Sequence, residues 1–245
     1  MTLQHYPLNM QEQRRRTDAI AVLGMHRSGT SCLTGLLEDA GVWLGAVSKD
    51  NPHNKKGNQE NFLIMHLHDM VLSDNGATWD HPPDADCIWS NERLKSLGEI
   101  IDTYPSDRTW AFKDPRTCFT ISAWKEQVPK LRFLGTYRHP TSVAASLNAR
   151  SPGISMRDGN ALWCRYNKKL LELHDTYDFP LICFDLLPME YLEKVQSVFE
   201  TIGLNLPAPE HGFFEPKLRH HCSDITGFLT DQAEDIYTAL TARAV

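Results

Sequence analysis

The fold is decided by a stretch that reads Ala-Ile-Ala-Val-Leu-Gly-Met-His-Arg-Ser-Gly-Thr-Ser over residues 19–31. Its first five residues are apolar and have the length of a buried parallel strand, and a helix is predicted to begin inside the loop and to run through residues 32–39. A Gly-rich turn between a strand and a helix aims backbone N–H groups and the helix dipole at one point, which suits a phosphate. The stretch therefore predicts an anion-binding loop at the start of an α/β domain.

This loop is close to a nucleotide-binding P-loop but lacks its lysine. Gly24 and Gly29 keep the Walker A spacing, with four residues between them, whereas Thr30 stands at the lysine position and Arg27 lies inside the loop. We therefore expect the loop to bind a phosphoryl-like anion rather than the Mg²⁺-chelated β- and γ-phosphates of a triphosphate.

Length, charge and cysteine usage limit the classes of function. A chain of 245 residues suits one α/β domain, and its formal net charge of −6 argues against bulk attraction to nucleic acid or to an acidic membrane. No run approaches the roughly 20 apolar residues of a membrane span, and no apolar signal segment is recognisable at the start. The six cysteines contain no Cys-x-x-Cys pair. We expect a cytoplasmic protein with a polar arm over residues 1–18 and a single domain over residues 19–245.

Strand-like and helix-like segments alternate along the chain. Such alternation is typical of a parallel sheet covered by helices, so the predicted class is α/β, with a P-loop-like parallel β-sheet flanked by helices in a single domain. The predicted strands cover residues 19–23, 109–113, 131–137 and 181–184, and further helices are predicted over residues 59–72, 90–104, 158–177, 190–202 and 231–240, with one more beginning near Pro140.

Basic residues follow three of the predicted strands. Arg27 lies in the loop after the first, Lys113 ends the second, and Arg138 follows the third. Ligands of open α/β sheets lie beyond the carboxyl ends of the strands, so these cations predict a site for a compact polyanion, with separate surface ion pairs as the alternative. Ser146 lies eight residues after Arg138, about two turns along the helix that is predicted to begin near Pro140. One phosphate can therefore contact both side chains only if it lies along the side of that helix.

Together these motifs resemble those of sulfotransferases that use 3′-phosphoadenosine 5′-phosphosulfate (PAPS). Residues 26–31 are similar to the 5′-phosphosulfate loop of that family, and residues 138–146 resemble its 3′-phosphate motif, an arginine followed eight positions later by a serine. Residues 112–116 resemble the Lys-Asp-Pro segment of tyrosylprotein sulfotransferases and related bacterial enzymes. Residues 51–61 and 162–167 match a bacterial subgroup often linked to surface-polysaccharide genes.

The resemblance covers residues 19–190 and implies an activity. A sulfuryl group would pass from PAPS to an acceptor hydroxyl on a carbohydrate or glycolipid, with adenosine 3′,5′-bisphosphate as the product and no metal. A P-loop small-molecule kinase and a non-catalytic nucleotide-binding module are the alternatives, and the missing Walker lysine counts against the kinase.

The resemblance also implies which residues bind the cofactor. The 5′-phosphosulfate would be held by the loop residues His26, Arg27, Ser28, Gly29, Thr30 and Ser31. Arg138 and Ser146 would hold the 3′-phosphate. Tyr166 or Trp163 would stack on adenine, with core packing as the alternative, and Arg219 in a basic C-terminal tail would close over the 3′-phosphate unless that tail is simply solvated.

Charge neutralisation at the transferred group would come from Arg27 and Lys113, although Lys113 has an ordinary ion pair as its alternative role. The best positional match to the glutamate base of the tyrosylprotein and heparan branches is Glu60, which could instead belong to a helix-start cap. The Lys-x-His segment of cytosolic sulfotransferases is absent, so His26 and Asp114 are the other candidate bases. The more ordinary role of Asp114 is to orient Lys113 or Arg116.

Overall fold

In the part of the chain that the structure describes, four parallel strands form one sheet in the order β2-β1-β3-β4. The strands are β1 (Ala19–Leu23), β2 (Trp110–Lys113), β3 (Leu131–Tyr137) and β4 (Leu181–Cys183). The computed structural model describes residues 18–49, 56–207, 212–216 and 229–245. Of the predicted arm, only Asp18 falls within these ranges.

Helices cover the sheet and confirm the predicted α/β class. Within the described ranges they are α1 (Thr30–Asp39), α2 (Phe62–Asp74), α3 (Asn91–Ile101), α4 (Thr117–Gln127), α5 (Pro140–Arg150), α6 (Met156–Tyr177), α7 (Pro188–Thr201) and α8 (Asp231–Arg243). None of these helices has the length and apolar character that a membrane crossing needs.

Helix α4 is the element that the sequence patterns did not predict. Its first five residues are all buried, including Thr117, Phe119 and Thr120, and Trp124 is buried further along. A helical segment that is buried all round shows no clear 3.6-residue alternation of apolar and polar residues, so periodicity does not reveal it. Helix α4 is relevant to the site because it begins directly after residues 112–116, the segment that resembles Lys-Asp-Pro.

Strand β1 lies inside the sheet and has neighbours on both edges. All five of its residues are fully buried, and its side chains alternate between two apolar clusters: Ala19, Ala21 and Leu23 face one, and Ile20 and Val22 face the other. The cluster on the first side contains large rings such as Trp110 and Trp124. A strand buried on both faces is the expected result of helices packing on either side of a parallel sheet.

The register brings three strand ends to the same edge. Val22 pairs with Lys113 on β2, and Leu23 pairs with Gly135 on β3, two residues before that strand ends. Because all three strands run in the same direction, the loop after Leu23, the side chain of Lys113 and the residue after Tyr137 share one end of the sheet.

We predict that Gly24→Ala lowers the free energy of unfolding by about 2 kcal/mol, because a φ of 144° is strained for alanine and an added Cβ would lie 2.3 Å from the carbonyl oxygen of Thr136. Urea unfolding followed by circular dichroism measures the change. Gly153→Ala is the control, since no atom lies within 4 Å of its added Cβ. Equal losses in the two variants would contradict the close approach of Gly24 to β3.

Candidate active site

The loop between β1 and α1 presents backbone donors without a side-chain acceptor. Gly29 is the N-cap of α1 with a φ of 86°, no side chain caps the helix, and its first turn carries no acidic residue. Arg27 also has a left-handed backbone, with a φ of 66°. The first N–H groups of α1 are therefore available to an anion, and the helix dipole favours one.

Three neighbouring segments fix the position of this loop. The Thr136 hydroxyl on β3 donates to the Ser28 carbonyl at 3.0 Å, and the Ser31 hydroxyl donates to the Asn58 carbonyl at 2.9 Å. The Phe184 ring lies so close to Gly29 that an added Cβ would be 2.3 Å from it. The loop is therefore held in place before any ligand binds.

Lys113 and Glu60 form an ion pair beside the loop. Lys113 Nζ donates to Glu60 Oε1 at 2.6 Å, with only 2% and 12% of the two side chains exposed. The N-cap of α2 is Asn61, whose side chain accepts from the Leu63 N–H, so Glu60 precedes the helix and does not cap it. The sequence selected both residues for catalysis but did not indicate that they touch.

A second buried network surrounds Asp114. Its Oδ1 accepts from the Arg116 N–H at 3.0 Å and from Arg116 Nη1 at 2.9 Å, and Arg116 Nε also lies 2.6 Å from Asp69. Trp124 Nε1 donates to His68 Nε2 at 2.8 Å, so the proton of this imidazole is on Nδ1, which donates to Asp114 Oδ2 at 3.1 Å. Both oxygens of Asp114 are thus engaged, an arrangement that orients Arg116.

The charge state of Asp114 follows from this network. Burial alone would raise the pKa of the carboxyl, but the Arg116 guanidinium and the hydrogen bond from His68 hold it well below its ordinary value. The opposing charges of Asp114 and Asp69 raise the pKa of Arg116 despite the burial of its guanidinium. Asp114 is therefore a poor proton acceptor.

His26 is a neutral imidazole in this site. It packs edge-on against the Trp79 ring at 5.0 Å and the Tyr166 ring at 5.7 Å. Burial, together with the positive charges of Arg116 and Lys113, lowers the pKa of His26 to about 3. An imidazole with so low a pKa takes up a proton poorly at neutral pH, which counts against His26 as the base.

Both aromatic candidates for adenine stacking lie inside the protein. Tyr166 and Trp163 are fully buried; the Tyr166 hydroxyl donates to the Trp79 carbonyl at 2.8 Å, and Trp163 Nε1 donates to the Arg138 carbonyl at 2.9 Å. Trp163 therefore supports the segment that carries Arg138. A stacking role for Tyr166 stays a prediction.

The two halves of the predicted 3′-phosphate motif make different contacts. Arg138 Nε donates to Asp185 Oδ1 at 3.0 Å, and the other oxygen of Asp185 accepts from the His139 N–H at 2.6 Å. Ser146 on α5 instead accepts from Arg27 Nε at 2.8 Å. The structure thus joins two residues that the sequence assigned to opposite ends of the cofactor.

Arg150 belongs to the same cluster, and sequence reasoning missed it. Burial lowers the pKa of Arg27, and the neighbouring charges of Arg150 and Arg138 lower it further. Arg150 is the last residue of α5, four positions after Ser146. That i, i+4 spacing was readable from the sequence, because it places both side chains on one helical face.

Arg219 falls outside the described residues, but part of the segment before it is described. Lys56 Nζ donates to the Phe213 carbonyl at 2.5 Å and lies 2.8 Å from Glu215. The Phe213 ring packs on Gly35 of α1, where an added Cβ would lie 2.2 Å from it. Residues 212–216 therefore lie against α1, whose N-terminus borders the loop.

Comparison with solved structures identifies the architecture. The sulfotransferase domain from the Synechococcus PCC 7002 olefin synthase is similar with a TM-score of 0.57 at 14% sequence identity, over 92% of this chain and 95% of that domain. The chain has the fold of a sulfotransferase domain. Sulfotransferase STF1 from Mycobacterium tuberculosis H37Rv gives a TM-score of 0.42 at 15% identity, over 93% of this chain and 72% of that one. No protein-family model and no curated protein sequence matches this chain.

We predict that Asp114→Asn lowers the free energy of unfolding by about 3 kcal/mol at pH 7, because it leaves Arg116 with an incomplete buried ion pair. The pKa of Asp114 is lower in the folded than in the unfolded chain. Its contribution is therefore present above the ordinary value of 3.8 and is lost as the pH falls below it. The variant should lose less stability than the wild type on acidification from pH 4 to pH 2.5.

Urea unfolding across that pH range measures both effects. Asp178→Asn is the matched control, because it removes an exposed carboxylate at a left-handed position that asparagine also tolerates. A variant as stable as the control, with an unchanged acid dependence, would contradict the structural role of Asp114.

Proposed function

We propose that this protein transfers a sulfuryl group from PAPS to a hydroxyl group of a carbohydrate or glycolipid. The observation that carries the proposal is the 2.6 Å contact between Lys113 and Glu60 beside a preformed anion loop, on a fold shared with a sulfotransferase domain. The contact joins a candidate base to a candidate electrophilic cation at one edge of the sheet.

The described residues fit the anionic groups of this donor. Arg27 and the uncapped N–H groups of α1 suit the 5′-phosphosulfate, and Ser28 has a buried hydroxyl without a hydrogen-bond partner among the described residues. Ser146 accepts from Arg27, the charge of Arg138 acts on the same guanidinium, and both residues suit the 3′-phosphate. The donor supplies the sulfuryl group and a stable leaving group, adenosine 3′,5′-bisphosphate.

Glu60 would act as the base. Its carboxylate takes the proton of the acceptor hydroxyl as the hydroxyl oxygen bonds to sulfur, and the bond between sulfur and the bridging oxygen of the 5′-phosphate breaks. Lys113 and Arg27 stabilise the negative charge that develops on the departing phosphate. A lysine ammonium has three N–H donors, so Lys113 can keep Glu60 in place while it donates to that oxygen.

An exposed aromatic pair at the start of α2 supports a ring-shaped acceptor. Phe62 and His66, one turn apart on α2, stack in parallel with ring centroids 6.1 Å apart, and 65% of the Phe62 side chain is exposed. An exposed aromatic face two residues along the chain from Glu60 gives a sugar ring a surface on which to rest. Together with the resemblance to polysaccharide-linked bacterial enzymes, this face favours a carbohydrate or glycolipid acceptor.

Ligand binding and transfer together test the proposal. Adenosine 3′,5′-bisphosphate should raise the unfolding temperature by several degrees when supplied at about 100 times its Kd, whereas ATP with Mg²⁺ should not. Labelled sulfate should then pass from PAPS to a polysaccharide or glycolipid extract. Stabilisation by ATP with Mg²⁺ alone would favour the kinase, and bisphosphate binding without transfer to any acceptor would favour the non-catalytic module.

We predict that Glu60→Gln reduces kcat by about 10²-fold or more and leaves the Kd for adenosine 3′,5′-bisphosphate near that of the wild type. Glutamine keeps the size of the side chain but does not accept the hydroxyl proton. Calorimetric titration and sulfate-transfer rates measure the two quantities. Glu99→Gln, at an exposed site on α3, is the control. Turnover equal to that of the control would exclude Glu60 as the base.

A further inference from the structure

Arg27 donates a hydrogen bond to the Ser146 hydroxyl, which is also proposed to bind the donor. Its Nε donates to Ser146 Oγ at 2.8 Å, across 119 positions of sequence. Arg27 lies in the loop proposed for the 5′-phosphosulfate, and Ser146 lies in the motif proposed for the 3′-phosphate. In the state described, one hydrogen bond therefore links the two anion-binding ends of the site.

Arg150 lies next to this bond on the same helix. It is one turn beyond Ser146 on α5, so the two side chains project from one face, and its side chain is exposed. Arg150 and Arg27 pair with no carboxylate within the described part of the chain, whereas Arg138 engages Asp185 through its Nε.

Several positive charges lie close together around the Arg27–Ser146 bond. Apart from burial, the causes that lower the pKa of Arg27 are the charges of Arg150 and Arg138. Neighbouring guanidinium groups repel one another unless an anion lies between them, and a phosphate dianion accepts hydrogen bonds from several arginines at once. The cluster is thus arranged for a phosphate beside Ser146.

We propose that Arg150 and Ser146 together bind the 3′-phosphate of the donor, and that this phosphate takes Ser146 from Arg27 and frees Arg27 for the 5′ end. The inference rests on the proposed function and adds to it a specificity-determining residue and a latch. A donor without a 3′-phosphate leaves the Arg27–Ser146 bond closed, so Arg27 Nε is not available to the 5′ end.

Two adenosine nucleotides that differ only in the 3′-phosphate test the role of Arg150. The Kd values of adenosine 3′,5′-bisphosphate and of adenosine 5′-monophosphate are measured by calorimetry on the full chain. Arg150→Gln should weaken bisphosphate binding at least tenfold and change monophosphate binding less than twofold. Arg108→Gln, an exposed arginine just before β2 at the opposite end of the sheet, should change neither and controls for the loss of one charge.

The latch is tested by Ser146→Ala. Removal of the hydroxyl frees Arg27, so the variant should bind the monophosphate at least threefold more tightly than the wild type while it binds the bisphosphate more weakly. A merely structural role for Ser146 would weaken both ligands, and that result would overturn the latch.

The outcomes also separate this inference from the proposed function. A wild-type protein that prefers the bisphosphate, with the same preference in Arg150→Gln, would overturn the role of Arg150 and leave the proposed donor standing. A wild-type protein that binds both nucleotides equally would overturn the proposed donor itself.

Discussion

The pairing of β1 with a parallel strand on each side is the constraint on which the site depends. Because Val22 stands opposite Lys113 and Leu23 stands opposite Gly135, the loop after β1 opens between the ends of β2 and β3. Lys113 ends β2, and Arg27 and Arg138 follow β1 and β3, so the sheet fixes the backbone positions of these three cations. A shift of this register by one residue would move Lys113 away from the loop and to the other face of the sheet.

The cations of the site differ in what neutralises them. Lys113 contacts Glu60, Arg138 contacts Asp185, and Arg116 contacts Asp114, so each of these is oriented by a carboxylate of the protein itself. Arg27 contacts a serine hydroxyl. In a chain with a formal net charge of −6, a guanidinium whose partner among the described residues is neutral is the group best suited to bind a ligand anion.

Local sequence patterns revealed most of the fold. The apolar run before Gly24, the proline at the start of α5 and the glycine after α7 carry their structural meaning within a few residues. Helix α4 was not predicted, because its first five residues are all buried and its sequence shows no helical periodicity of apolar residues.

The candidate site was only partly predictable, for a different physical reason. Its residues were found one by one, yet their contacts cross long stretches of chain: 53 positions separate Lys113 from Glu60, and 47 separate Arg138 from Asp185. Such pairings depend on where the strands end in space. Motif spacing within one segment does not encode them.

The Phe184 ring has a consequence for how this site can change. It packs against Gly29, and the Arg138 guanidinium lies over the same ring, 5.7 Å from its centroid. A smaller side chain at position 184 would open space beside the loop between β1 and α1 and would also remove the surface under Arg138. One substitution at position 184 would therefore disturb both anion-binding ends of the site together.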